Sequence, residues 1–384
     1  MVSFLDESGI LREYRALCRR WEQVGGKVCL IRLSSIGDMV LCTPVIRWLH
    51  LRFPLLELHF VTKPAMAQVI AYHPYLHRVH LWQPSDRAVL QNLRREGFDA
   101  VIDLHHNLRT MRWRCLGAVT GPGIPWWTYP KGNLLKWWMV RTKFKPKHPL
   151  HTVQKYARML APLGLRDDGL GLDWSFSPEW ARSFSSLPAT EWGPPLRTVF
   201  GWGPQASVVA LALGAQHATK CLPEDLLLAL CQKLPGPVLL LGGPQDKDLA
   251  NRLIEASGRK DLGHACGTWD LQTSAAALKQ AACLITPDTG LMHMAAALSV
   301  KTFVLWGSTV PEFGMYPWTK GTTAYESFEV SLSCRPCSKL GHPSCPLGHF
   351  RCMRLQDLDQ VVQRVQLYLR HYPLKALPPV GKTP

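Results

Sequence analysis

Asp288, Thr289 and Gly290, with His293 one helical turn further on, are residues whose types and spacing could hold an anion. They lie in CLITPDTGLMHMAAALSVKTFVLWG, Cys283 to Gly307, where Cys283 to Thr286 and Lys301 to Trp306 are short apolar runs. Between them Leu291, Met292, Met294, Ala295 and Ala297 recur at helical spacing, so the stretch predicts strand, turn, helix, strand. The amides of Thr289, Gly290 and Leu291 then point out of a helix amino terminus, whose partial positive charge suits a phosphate, and Gly290 lets a ligand approach the backbone. A plainer reading makes Asp288 an N-cap and His293 a packed polar residue. Aspartic-protease chemistry is excluded: it needs two carboxylates sharing a proton, and the single DTG here leads into a helix.

Three further turns carry candidate groups. The strand VCLIRL runs into Ser34-Ser35-Ile36-Gly37-Asp38 and then a helical stretch, so Asp38 is either a carboxylate presented at a strand end or a first-turn acid with Ser34 or Ser35 as cap. After SVVALAL comes GAQHATK, 214 to 220, which sets Lys220 in a post-strand loop on the same side as the DTG turn. In PVLLLGGPQD, Asp246 follows Gly242 and Gly243; it either accepts hydrogen bonds from ribose hydroxyls or caps its helix.

The elements that must position these turns repeat one pattern. VCLIRL, LELHFV, RVHLW and DAVIDL read as strands, with helices expected at 38–51, 65–71 and 85–96. The pattern restarts with SVVALAL, a helix at 223–234, PVLLLGG, a helix at 246–257, a strand near Leu262 and a helix at 271–281. Alternating strands and helices imply parallel sheets, and 384 residues with 47% hydrophobic content imply two cores. The expected division is an amino-terminal acceptor-binding domain at 1–185 and a nucleotide-sugar domain at 195–352 whose last part, 334–352, is a cysteine-rich loop. A final helix, 354–372, is expected to pack back toward the amino-terminal domain. A Pro, Ser and Trp tract at 175–204 marks the boundary, and the tail from Pro373 reads as loose.

The amino terminus has acids among its apolar residues and no continuous apolar core, so it does not read as a signal peptide, and no run approaches a membrane-spanning length. A cytoplasmic protein is expected. Eight scattered cysteines suit reduced core thiols. The net charge of +16 is uneven: from Leu104 to Arg166 there are twelve Lys or Arg and no acid, with Trp113, Trp126, Trp127, Trp137 and Trp138 interleaved. Such a tract argues for an anionic partner: nucleic acid, an anionic membrane surface or an acidic glycolipid.

Taken together, IRLSSIGDMVLCTPVI at 31–46, GAQHATKCLP at 214–223, LGGPQD at 241–246, and PDTGLMHMAAAL with VLWGST at 287–309 resemble glycosyltransferase family 9, which contains the lipopolysaccharide heptosyltransferases. The resemblance implies a GT-B architecture, two Rossmann-like domains with parallel sheets facing a central cleft, and inverting transfer without a required metal or cofactor. It implies Asp38 as general base in a loop shared with Ser34, Ser35 and Gly37. The donor, ADP-heptose, would meet Lys220, the amides of Thr289, Gly290 and Leu291, Asp288, His293 and Asp246. The acceptor would be an anionic lipopolysaccharide core or lipid A, reached from the inner face of the cytoplasmic membrane, with nucleic acid not a partner. Leu213 and Leu222 depart from residues common in the family, Pro and Trp. Cys334, Cys337, Cys345 and Cys352 in CRPCSKLGHPSCPLGHFRCM could make a structural zinc site, stay as reduced thiols, or clasp the loop. Two other classes fit in part: an epimerase or other sugar-nucleotide enzyme on the same architecture, and a nucleic-acid-binding protein.

Overall fold

The computed structural model describes residues 7–84, 87–121, 123–186, 199–202, 206–321 and 325–371. The chain forms two compact units and crosses between them after Gly132, Pro149 and Ser175. Unit 1 takes the chain up to Gly132 together with Leu150–Ser175; unit 2 takes Asn133–Pro149 and the described residues from Phe176 onward. Residues 133–149, expected in the amino-terminal domain, therefore join the second unit.

Unit 1 is a five-stranded parallel sheet: β1 (Gly26–Ile31), β2 (Leu56–Thr62), β3 (Arg78–Leu81), β4 (Ala100–Asp103) and β5 (Trp126–Thr128), ordered β3-β2-β1-β4-β5. Val28, Cys29, Leu30 and Ile31 are all fully buried, the mark of a parallel strand covered on both faces. Gly26 stands opposite Leu56 and Val28 opposite Ala100. The chain steps outward from β1 through β2 to β3, then returns to the other side of β1 at β4. The loops after β1 and β4 thus flank a topological switch point, where open α/β sheets bind ligands. Its helices are α1 (Glu7–Gln23), α2 (Ile36–Arg52), α3 (Arg87–Arg95), α4 (Leu108–Cys115) and, after the excursion of α5 (Asn133–Thr142) into unit 2, α6 (Thr152–Leu160). The helix expected at 65–71 is a 3-10 turn, Pro64–Val69. Arg47 of α2 ties the returning segment down: its guanidinium grips Asp168 at 2.7 and 2.9 Å and also pairs with Asp173.

Unit 2 follows with α7 (Pro178–Ser186), β6 (Val209–Ala212), α8 (Glu224–Lys233), β7 (Val238–Leu241), α9 (Lys247–Ser257), β8 (Leu262–His264), α10 (Leu271–Gln280), β9 (Cys283–Pro287), α11 (Gly290–Ala297), β10 (Lys301–Trp306), β11 (Tyr325–Glu329), α12 (Arg351–Arg354) and α13 (Leu358–His371). Its six parallel strands run β11-β10-β9-β6-β7-β8, which puts the second switch point between β6 and β9. The carboxyl-terminal helix α13 buries Leu358, Val361, Val362 and Val365 in one cluster with Leu227, Leu230, Phe303 and Phe328, so its apolar stripe belongs to unit 2. The sequence expectation sends this helix back toward the amino-terminal domain; its apolar stripe is covered within unit 2. Part of the expected boundary tract, 187–198 and 203–204, and the tail from residue 372 lie outside the described residues.

Candidate functional site

In unit 1 the strand-to-helix turn after β1 is built around Asp38. Ser35 is the N-cap of α2, and its hydroxyl and amide donate to Asp38 Oδ2 at 2.9 and 3.3 Å, which makes Asp38 the acidic arm of a capping box. A guanidinium that sequence reasoning passed over completes the arrangement: Arg32, almost fully buried, stands 2.5 Å from Asp38 Oδ1. Arg32 is held in turn by the carbonyls of Ser34, at 2.9 Å, and Leu104. Burial alone would raise the Asp38 pKa; the Arg32 charge and the Ser35 hydrogen bonds outweigh it, and the carboxyl titrates below its ordinary value. Its side chain keeps 22% of its surface exposed, enough to be reached from solvent. Both readings of Asp38 therefore hold at once: it caps its helix and remains a reachable carboxylate.

The loop after β4, on the other side of the switch point, brings Asp103 and two histidines. Asp103 Oδ1 accepts from the amides of His105 and His106 at 2.9 and 2.8 Å, and His106 Nδ1 meets the Tyr129 carbonyl at 2.7 Å. Burial, then the nearby Arg32 charge, pushes the His105 pKa down to about 3, so this imidazole is neutral beside Asp38. The only signal for Arg32 and His105 was position, at the ends of VCLIRL and DAVIDL.

In unit 2 the loops after β6 and β9 meet at their own switch point. Lys220, closing the 3-10 turn Ala218–Lys220, puts Nζ 2.7 Å from Asp288 Oδ2, and Thr309 Oγ1 donates to the same oxygen at 2.8 Å. Both side chains are about five-sixths buried, at 16% and 15% exposure. Burial would raise the Asp288 pKa; Lys220, Thr309 and the buried His293 outweigh it and lower it. Thr289 is the N-cap of α11, so the first amides of that helix, from Gly290 and Leu291 onward, face away from its own carbonyls. Thr286 Oγ1 and Thr289 Oγ1 lie 3.1 Å apart and hold the turn.

Asp246 lies beside this loop, at the end of β7. It is buried, accepts from the Gly243 amide at 2.8 Å, and has its pKa raised by burial against that amide's lowering effect. Glycine is required around it: a Cβ on Gly214 would stand 2.4 Å from its carboxylate, and one on Gly242 2.6 Å. Asp246 thus links the loops after β6 and β7.

The cysteine-rich loop is seated on the same end of the sheet. Arg335, buried within the Cys-x2-Cys pair, donates to the carbonyls of Gly307, Val330 and Thr309 at 2.5, 2.7 and 2.8 Å. The amide of Cys337 donates to Ser308 at 3.0 Å, and the amide of His342 to Thr219 Oγ1 at 2.8 Å. Cys334, Cys337, Cys345 and Cys352 are all free thiols, with His349 Nε2 4.0 Å from Cys334 Sγ. Among the described residues, the one His, Cys and acid group with three ligand atoms mutually within 4.8 Å is elsewhere: His59, His80 and Glu96. There Arg78 already holds Glu96 at 2.6 Å and the two imidazoles bond each other at 2.9 Å.

Comparison with known proteins shows the family and the fold. The model of glycosyltransferase family 9 (heptosyltransferase) matches residues 87–344. Lipopolysaccharide heptosyltransferase 1 of Pseudomonas aeruginosa is 25% identical over 337 residues, covering 82% of this chain and 86% of that protein. Among solved structures, a family 9 glycosyl transferase of Veillonella parvula superposes with a TM-score of 0.69 at 20% identity, covering 90% of this chain and 98% of that one. The ADP-heptose lipopolysaccharide heptosyltransferase II of Escherichia coli does so with a TM-score of 0.64 at 17% identity, over the same shares. The likeness to these structures shows the fold, two Rossmann-like units of the GT-B class.

Proposed function

The chain belongs to glycosyltransferase family 9, and from that premise we propose that it moves a heptose from ADP-heptose onto an anionic lipopolysaccharide-core acceptor with inversion at the anomeric carbon. The observation that carries the reading is the Lys220–Asp288 pair at a sheet switch point beside the amino terminus of α11. A diphosphate arriving there takes over the Lys220 charge, while the amides of Gly290 and Leu291 receive its second oxygen set. Asp246 lies toward the nucleoside. The relatives' printed names supply the donor: one of the similar structures is an ADP-heptose enzyme.

In the reaction, the acceptor oxygen bonds to the anomeric carbon as the bond from that carbon to the diphosphate breaks. The bonding pair leaves with ADP, and the acceptor proton passes to Asp38. Arg32 keeps Asp38 ionised, so it is a weak base; that suffices when the proton moves late, after positive charge on the anomeric centre has acidified the attacking hydroxyl. Lys220 stabilises the charge appearing on the leaving phosphate.

Two variants test these assignments. Asp38→Ala should lower kcat by about 10²- to 10⁴-fold while leaving the Kd for ADP within about twofold; a folded variant that loses ADP binding removes the assigned role. Lys220→Ala should weaken ADP binding about 10- to 100-fold in calorimetry. Unchanged affinity would take Lys220 out of the site.

A further inference from the structure

Helix α5 is inside out. Its inward stripe is Lys136, Met139 and half-buried Val140, seated on Val310 and Phe313 of unit 2, with Lys136 Nζ 5.7 Å from the centre of the Phe313 ring. Its outward side carries Leu134, Trp137 and Trp138, exposed by 79%, 58% and 52%, with exposed Leu135 beside them and Phe144 just past the helix end. At 100° per residue, Leu134 and Trp138 point opposite Lys136 and Met139. A soluble helix puts its lysines out and its tryptophans in; a contiguous apolar face with the reverse order marks an interaction surface.

Charge identifies the partner. Residues 131–147 carry Lys131, Lys136, Arg141, Lys143, Lys145 and Lys147 and no acid. Lys143 is spent on the Pro336 carbonyl at 2.9 Å, and Lys145 lies 3.8 and 3.9 Å from Glu312 and Glu329. Arg141 in the last turn of the helix and Lys147 five residues past its end are exposed. Tryptophans rimmed by cations match the headgroup boundary of an anionic bilayer. No described helix is long and apolar enough to cross a membrane, so the contact is made from the surface.

We propose that α5 docks on an anionic lipid bilayer, Leu134, Trp137 and Trp138 entering the headgroup boundary while Arg141 and Lys147 pair with lipid phosphates. None of these residues belongs to the proposed chemistry, so the proposal stands or fails separately from the transferase reading.

The test is co-sedimentation of the full chain with vesicles of phosphatidylcholine alone or mixed with phosphatidylglycerol, without glycolipid or donor. Binding should require the anionic lipid and fall with added salt. Trp137→Ser with Trp138→Ser should cut the apparent partition constant at least about tenfold, with thermal midpoint and ADP affinity unchanged because both side chains are exposed. Leu347→Ser, an equally exposed apolar site elsewhere in unit 2, should change nothing. Equal binding to both vesicle types, or binding indifferent to the two tryptophans, would overturn the proposal. So would a requirement for lipid A in the vesicle, which would make the face an acceptor contact. A switch from oligomer to monomer on mutation with vesicle binding intact would make it a contact between copies, and a preference for oligonucleotide over vesicles a nucleic-acid surface.

Discussion

A carboxylate held next to a buried guanidinium or ammonium is stable only while it stays ionised. For Asp38 and Asp288 the folded-state pKa lies below the ordinary value of about 3.9. Each therefore contributes stability that is present above that value and is lost as the pH falls through the lowered one. His105, held neutral in the fold, makes the thermal midpoint decline from about pH 6.5 downward, whereas the carboxylate contribution is lost only below about pH 4. Asp288→Asn should therefore be less stable than the parent at pH 7 and lose that deficit below about pH 4, and a deficit constant from about pH 7 to pH 3 would contradict the sign. Activity follows the same logic, since an Asp38 base with a depressed pKa leaves the acid limb of kcat/KM below pH 4. At this scale much of the site was legible in the sequence. Asp38, Lys220, Asp246 and Asp288 each follow an apolar run through small residues, a conspicuous change of chemistry. Arg32 was not legible because it sits inside the strand pattern, where a charge reads as solvated, and only the fold shows that two carbonyls and Asp38 receive it. Arg335 was hidden by its neighbours: the Cys-x2-Cys spacing draws attention to metal chemistry, and the arginine between the two thiols, which fastens the loop to Gly307, Val330 and Thr309, goes unnoticed.

Among the elements, the loops after β6 and β7 are made mutually dependent by Asp246. Gly214→Ala introduces a Cβ 2.4 Å from the Asp246 carboxylate, so it should destabilise unit 2 by about 1–3 kcal/mol and weaken ADP binding. Adding Asp246→Ala removes the obstruction, and the double variant should lose less than the sum of the single ones in urea unfolding. Strictly additive losses would separate the two loops. The strands and most crossover helices could be read from period alone, since a continuous apolar run bounded by a glycine or proline turn has few other solutions. The basic tract could not. Its spacing does not say which of its five tryptophans face solvent: Trp113 packs edge-on against Trp82 at 5.0 Å, Trp127 is buried in edge strand β5, and of the five only Trp137 and Trp138 are exposed. Which face of α5 is covered depends on Val310 and Phe313, far along the chain, and local spacing carries no trace of them.

For the whole molecule, two separate sheets with two switch points predict that donor binding is a local event in unit 2. Hydrogen exchange with saturating ADP should show protection at the start of α11 and in residues 217–220, and little change at 34–38; protection confined to unit 1 would reverse the assignment of donor to unit. The division into units also fixes an order of events during synthesis. The chain makes α5 early, but the residues that seat it, Val310 and Phe313, follow roughly 170 positions later, an interval of about 10–30 s at ordinary translation rates. Meanwhile Asp168 and Asp173 have already arrived to close unit 1 around Arg47. While its seat is still being made, the nascent chain carries a tryptophan-faced helix without the residues of unit 2 that cover its other side. For that interval both the tryptophan face and the side that Val310 and Phe313 later cover are left to a chaperone or a lipid surface.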